Sequence, residues 1–222
     1  MLEHPVLAFD TCGDIGTVAL VDLGNGATTV ICAGQTELGG RAASAELMPA
    51  VEALLRDAKH DLRAIRALVV VNGPGSFTGI RVGLSTAKGL AHAAGIPIVA
   101  VSRLFVVATL SDTEGNSLVV LDAGRNEFYA RRAEREWLAS LEEIAAAAET
   151  GTSLIIAEEK AAKRFAAWRP GLVGPLDACA AARAALPRLR AGVQEDLATL
   201  DANYLRRSDA ELFARATGMP AR

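Results

Sequence analysis

The sequence predicts an α/β protein built from two related halves, the second of them reduced. Three observations carry this expectation. Short apolar runs of strand length alternate with segments of helical periodicity. A strand ending in an Asp, followed by a Gly-containing turn and a second strand, occurs twice, at Asp10 and at Asp122. The stretch after the second occurrence is leaner and leans on Ala-rich helices.

The elements follow in order. VLAFD reads as a buried strand ending in Asp10, and TVALVDL, after the turn TCGDIG, as its hairpin partner. TTVICAGQ is a third strand, ended by the Gly pair at 39–40. A helix is expected over 44–58, with Leu47, Val51, Leu54 and Ala58 on one stripe, widened by Met48 and Leu55. Pro49 is expected to bend its first turn or mark a late start. IRALVVV is continuously apolar, as in a strand covered on both faces. After NGPGSFTG, a helix is expected over 78–94, a strand over 96–101 and a helix over 103–110.

SDTEGN, residues 111–116, shifts the composition toward turn formers and marks the expected boundary between subdomains 1–110 and 111–222. SLVVLDAGRNEFYARR then repeats the strand–Asp–turn–strand theme. An Ala-rich helix near 136–149, a strand SLIIA, a helix near 158–168, a short strand LV and an Ala-rich helix near 176–186 complete the second half. The tail DANYLRRSDAELFAR reads as a loop and a short helix.

The 222 residues, 51% hydrophobic and 22% charged, suffice for a core without metal or disulfide staples. No apolar run reaches the length of a membrane span, and the N-terminal stretch lacks a secretory signal pattern, so the expectation is a cytoplasmic protein. Cys12, Cys32 and Cys179 are odd in number and have no C-x-x-C spacing, which predicts buried thiols rather than a disulfide framework or a zinc site. The net charge of −3 argues against a protein that grips nucleic acid alone. The basic pairs Arg131–Arg132 and Arg206–Arg207 read as solvated surface.

The most informative stretch is VVVNGPGSFTGIRVGLSTAKGLA, residues 69–91. Gly73, Gly75 and Gly79 surround a strand-to-helix turn whose free N–H groups could hold an anion, with Ser76 or Thr78 as the helix cap. The segment is neither a Walker A loop, having no Lys after Gly79, nor G-x-G-x-x-G, having Thr78 at the third Gly position. A tight turn under a closely packed helix is the competing reading. Gly79, Gly83, Ala87 and Ala91 form a ridge of small side chains that permits close approach of another element. Arg81, Ser85, Lys88 and His92 are expected on the exposed face. Between the two lies a strip of Val82, Thr86, Gly89 and Ala93, too apolar for plain solvent face, which reads as an interface, with a partner or within the chain.

Asp10 and Asp122 could hold Mg²⁺ through water beside a nucleotide, or could simply accept from the amides of their own turns; the latter is the reading for Asp122. His4, His60 and His92 fall in no metal-binding pattern, and no Ser-His-Asp or Cys-His set follows from spacing.

FDTCGDIGTVAL, NGPGSFTGIRVGLSTAKGLAHAAGIPIVAVS, DAGRNEFYA and NYLRR occur here in the order seen in the TsaB family of bacterial tRNA threonylcarbamoyladenosine biosynthesis proteins. The resemblance spans about residues 6–131, with the tail near Tyr204. It implies an actin-like fold of the hexokinase, Hsp70 and ribonuclease H kind, duplicated, with a reduced second half. It also implies a non-catalytic paralogue of the catalytic subunit TsaD, paired with it as a heterodimer, joined by a small ATPase subunit and meeting tRNA only through the complex. The family's shared helical bundle would put Met48 and Leu55 beside Val82, Thr86, Gly89 and Ala93. The same strip could serve a homodimer. In the catalytic paralogue two histidines of the first helix bind metal; the matching RAASAELMP, residues 41–49, has none. The family has Arg two positions after the second Asp, where this chain has Gly124 followed by Arg125.

These observations predict a scaffold subunit with no catalytic residue, metal or cofactor of its own. The rival is a small actin-like ATPase or phosphotransferase using Asp10, Gly73, Gly75 and Ser76. A metallopeptidase is a third class, and the missing histidines count against it.

Overall fold

The computed structural model describes residues 2–24, 30–39, 42–111, 117–149 and 151–206. The first half is a sheet of β1 (Pro5–Asp10), β2 (Gly16–Asp22), β3 (Ile31–Leu38), β4 (Ala67–Val71) and β5 (Ile98–Val101), ordered β3-β2-β1-β4-β5. The β1–β2–β3 meander is antiparallel; β4 and β5 add in parallel beside β1. Between the strands run α1 (Ala43–Asp57) and α2 (Phe77–Ala94), and α3 (Arg103–Leu110) follows β5.

The second half repeats the plan. It has β6 (Ser117–Gly124), β7 (Glu127–Arg132), β8 (Arg135–Ser140), α4 (Leu141–Glu149), β9 (Ser153–Ile156), α5 (Glu159–Arg164), β10 (Gly171–Leu172) and then α6 (Ala178–Arg190). Its order β10-β9-β6-β7-β8 is the first sheet's order again, with the same antiparallel meander and parallel additions. The duplicated, actin-like plan with a shortened second half is thus the architecture of this chain. The connection after β9 is the six-residue α5 and a 3₁₀ turn at Ala166–Trp168, where the first half carries the 18-residue α2.

Side-chain alternation sorts the first sheet into two layers. Leu7, Phe9, Leu68 and Val70 face α1 and α2. Val6, Ala8, Val69 and Val71 face Val106 of α3 and the alanines of α6. Alanine suits α6 because a short side chain lets its backbone lie close on the strands. The chain therefore does not divide at 110/111 into self-contained packing units: α6 returns to the first sheet. Helix α3 joins the lobes, with Val106 in the first core and Leu104 and Val107 packed on Val119, Leu121 and Ile155 of the second.

Three expectations change. REWLAS forms β8, paired with β7, and the Ala-rich helix starts only at Leu141; good helix formers in EREWLAS yield to cross-strand pairing. Pro49 lies well inside α1, not at its first turn. Cys32 and Cys179 are joined in a disulfide spanning 147 residues, which ties the edge strand β3 to α6; local spacing rules cannot see such a pair. Cys12 alone is a buried thiol. Thr28–Thr29, Gly40, most of the expected boundary (112–116), Arg207 and the short tail helix lie outside the described residues. No helix among the described residues is long and apolar enough to cross a membrane.

Candidate functional site: the inter-lobe cleft and the α1–α2 face

The ends of β1 and β4, the start of α3, and the ends of β6 and β9 meet in a cleft of about 620 Å³ between the lobes, lined among others by Gly75, Ser76, Arg103, Asp122, Glu158 and Lys160. β1, β4 and β6 end there because turn formers follow or close them. Asp10 Oδ1 accepts the Cys12 amide (2.9 Å), and Asp122 Oδ1 accepts the Gly124 amide (2.7 Å). Both aspartates are therefore turn caps of the same kind, the local bonding expected of such residues.

The strand-to-helix turn is held from three sides. The Ser76 amide donates to the Cys12 carbonyl (2.8 Å), and the Ser76 hydroxyl caps α2 by accepting the Gly79 amide (3.2 Å). The Gly73 carbonyl accepts the Arg103 amide (2.7 Å). Thr11 Oγ1 donates to the Gly79 carbonyl (2.6 Å), and a Cβ at Gly79 or Gly83 would overlap Thr11. The glycine ridge is what lets α2 reach the end of β1. Gly75 and Ser76 stand on the rim of the cleft and Asp10 lies just behind it, but the Ser76 amide, one of the donors offered to an anion, is already bonded to the Cys12 carbonyl.

Arg103 is the central charge. Its Nε lies 3.6 Å from Asp10 Oδ2 and its Nη1 3.8 Å from Glu158 Oε1 across the cleft. Burial works against its charge, but Asp10, Cys12 and Glu158 more than offset this, and its pKa is raised. Glu158 is pushed up by burial even though it accepts the Asp122 amide (2.9 Å). The Cys12 thiol is raised by burial and then by Asp10, and it donates to the Val71 carbonyl (3.3 Å), so it is no nucleophile.

A second junction centres on Glu136 of β8. Its Oε1 accepts from Ser102 Oγ (2.6 Å) and Arg131 Nη1 (2.7 Å), and its Oε2 from Asn203 Nδ2 (2.7 Å). The first lobe, the second lobe and the tail thus share one carboxylate. Sequence reasoning missed Arg103, Glu136 and Glu158. A cation in the first turn of α3, against the helix dipole, was the available signal for Arg103; Glu136 was hidden by the helical reading of its strand.

On the opposite face of the first lobe, α1 and α2 lie side by side over one core. Met48 is 38% exposed, Val82 and Thr86 are half-buried, and Gly89 and Ala93 are exposed. Leu55 departs from the expectation: it is 8% exposed and packed into the core, so its side chain has little surface to offer. Lys88 is also not on an open face, because its Nζ donates to the Leu200 carbonyl (2.9 Å) as the tail crosses α2.

These lobes, and the sequence that forms them, define a class. The model of the TsaD family, tRNA N6-adenosine threonylcarbamoyltransferase, matches residues 35–155, more than half of the chain, and the chain belongs to that family. Among curated relatives named for a role, the tRNA threonylcarbamoyladenosine biosynthesis protein TsaB of Haemophilus influenzae is 35% identical over 140 residues, 61% of this chain and 56% of that protein. An uncharacterized protein of Mycobacterium tuberculosis is 38% identical over 130 residues, 57% of this chain and 58% of its own length. The chain thus spans a little over half the length of these two relatives. In fold it is similar to a Pseudomonas aeruginosa protein described as resembling the peptidase YEAZ, with a TM-score of 0.72 at 24% identity, over 92% of this chain and 100% of that one.

Proposed function

We propose that this chain is a scaffold subunit of the machinery that transfers a threonylcarbamoyl group to the adenosine beside the anticodon of tRNA. It would pair with a TsaD-like catalytic paralogue, with a small ATPase subunit joining the pair, and it carries no catalytic residue of its own. The observation that carries the reading is the strip of Val82, Thr86, Gly89 and Ala93 beside Met48. Small and apolar side chains there remain partly or wholly exposed on two adjacent helices, the surface a second helical pair would close. The reading is supported by curated relatives named for tRNA threonylcarbamoyladenosine biosynthesis and by a family described as tRNA N6-adenosine threonylcarbamoyltransferase.

The rival reading, a nucleotide-using enzyme acting through Asp10, fits the cleft less well. The Asp10 carboxylate is 3% exposed and is committed to the Cys12 amide and the Arg103 guanidinium. The test is light scattering after size exclusion, on the chain alone and with a TsaD-like subunit. A one-to-one complex that Val82→Asp or Thr86→Arg weakens supports the scaffold. No complex at micromolar concentration, with or without nucleotide and the ATPase subunit, removes it. A homodimer of the chain alone that the same substitutions split would assign the strip a second use.

A further inference from the structure

A second concavity, of about 380 Å³, opens beside the cleft where the first turn of α2, the β6–β7 turn and the tail meet. Its walls include three aromatic rings, Phe77, Tyr129 and Tyr204. Tyr129 is buried, but Phe77 is 43% and Tyr204 40% exposed, whereas the other phenylalanines among the described residues are buried wholly or in large part. These two rings are not loose. Their centroids lie 5.3 Å apart with planes inclined by 30°. Arg81 fixes them, its guanidinium carbon 3.9 Å above the Phe77 ring and its Nε donating to Tyr204 Oη at 2.9 Å. The cost of two half-open rings is therefore met by a cation that orients them, an arrangement with no packing purpose in the core.

Among the described residues the walls carry Arg125 and Arg206 and no carboxylate, although the chain as a whole is acidic; Glu127 meets Arg206 at the rim. Arg206 donates to the Gly124 carbonyl (3.1 Å) and pairs with Glu127, which fixes its position at the rim. Asn203 is held by its bond to Glu136. Preset π-faces with guanidinium groups beside them suit a planar base carrying a phosphate. The volume is at the size of one nucleoside rather than of a larger ligand.

We infer that this concavity binds one unpaired nucleotide of single-stranded RNA, its base stacked on Phe77 and Tyr204 and its phosphate against Arg125 and Arg206. The inference rests on the reading of the chain as part of a tRNA-modifying assembly, and it names the surface that would approach the RNA. The two arginines on the walls and the half-open rings favour a strand passing over the surface rather than an enclosed free nucleotide. Single-ring substitutions should then weaken binding without unfolding the protein, since both side chains lie largely outside the core.

The experiment uses the full chain, alone and in complex with a TsaD-like subunit, and a stem-loop RNA with an unpaired loop. Phe77→Ala and Tyr204→Ala should each weaken loop binding by about 5- to 150-fold, whereas Phe77→Trp retains it and Tyr204→Phe, which keeps the ring but loses the Arg81 bond, falls between. Arg125→Ala should lower the salt dependence by about one unit of slope. Photo-crosslinking with thiouridine in the loop should mark peptides containing Phe77 or Tyr204. Equal binding by the ring variants, crosslinks only elsewhere, or no RNA bound by wild type in either form would overturn the inference. So would competition by free adenosine monophosphate at the affinity of the RNA, which would mark a small-nucleotide site. Loss of the protein complex in Phe77→Ala without any crosslink would make the concavity a protein contact and overturn it as well. The two readings fail separately: an assembly that modifies tRNA but is indifferent to the ring variants in RNA binding sinks the concavity alone. RNA bound at the rings by a chain that joins no complex sinks the scaffold reading alone.

Discussion

Arg103 of the first lobe holds its Nε 3.6 Å from Oδ2 of Asp10, a carboxylate that is 3% exposed. The same guanidinium reaches Glu158 of the second lobe at 3.8 Å. A carboxylate at the mouth of a cleft could face a ligand's cation. Here a cation of the chain itself stands against it. The pair also spans the lobes, because Arg103 begins α3, the helix whose two sides enter the two cores.

Removing Arg103 should therefore be costly in proportion to what it leaves behind. Arg103→Met strands the buried Asp10 carboxylate, and breaking a buried pair from one side costs about 3–5 kcal/mol. Arg103→Lys keeps a charge but loses the fork that reaches two carboxylates, so it should fall between. Asp10→Asn with Arg103→Met should cost less than the sum of the single changes, because no orphan charge remains. Urea unfolding of wild type and these four variants measures this, and additive losses in the double variant would mean that the two groups do not interact.

Glu158 gives a pH dependence of definite sign. Burial raises its folded pKa above the ordinary value of 4.5, so the folded state takes up this proton at higher pH than the unfolded chain does. Between those two values, lowering the pH favours folding through this group, and above the folded value the cost of the buried charge is fully present. Glu158→Gln keeps an acceptor for the Asp122 amide and removes the titration. Wild type should thus gain stability relative to Glu158→Gln as the pH falls from neutrality toward 4.5. Melting temperatures of both proteins across that range decide it; a constant difference would remove Glu158 as the titrating group.

What was legible in the sequence was what local pattern encodes. The fully apolar β4 and β5, the glycine ridge of α2 and the twin turns at Asp10 and Asp122 were all readable, because periodicity and turn chemistry act over a few residues. The cap by Ser76 was readable for the same reason. What escaped depended on distant partners. REWLAS is a strand because β7 lies beside it, Cys32 is bonded because α6 returns to the first sheet, and Leu55 is core because it joins the cluster that α1 and α2 share with that sheet. The Arg81 bond to Tyr204 joins residues 123 apart and turns two separate motifs, GPGSFTGIR and NYLRR, into one surface.

The glycines of α2 should respond to alanine with opposite signs. A Cβ at Gly79 would overlap the carbonyl oxygen of Thr11, which is backbone and cannot rotate away, and the Thr11 hydroxyl bond to the Gly79 carbonyl leaves no room for the helix to lift. Gly79→Ala should destabilise the chain by roughly 1–3 kcal/mol, the range for overpacking. Gly89 has nothing within 4 Å of the added atom, so Gly89→Ala brings only the gain in helix propensity, about 0.8–1 kcal/mol. Thermal unfolding of the isolated chain reads both. If the strip on α2 is a partner surface, Gly89→Ala should at the same time weaken assembly with the TsaD-like subunit, because the added methyl separates helices that meet at a glycine. A variant more stable alone yet weaker in complex would tie Gly89 to the interface, and a gain in both would leave it as plain surface.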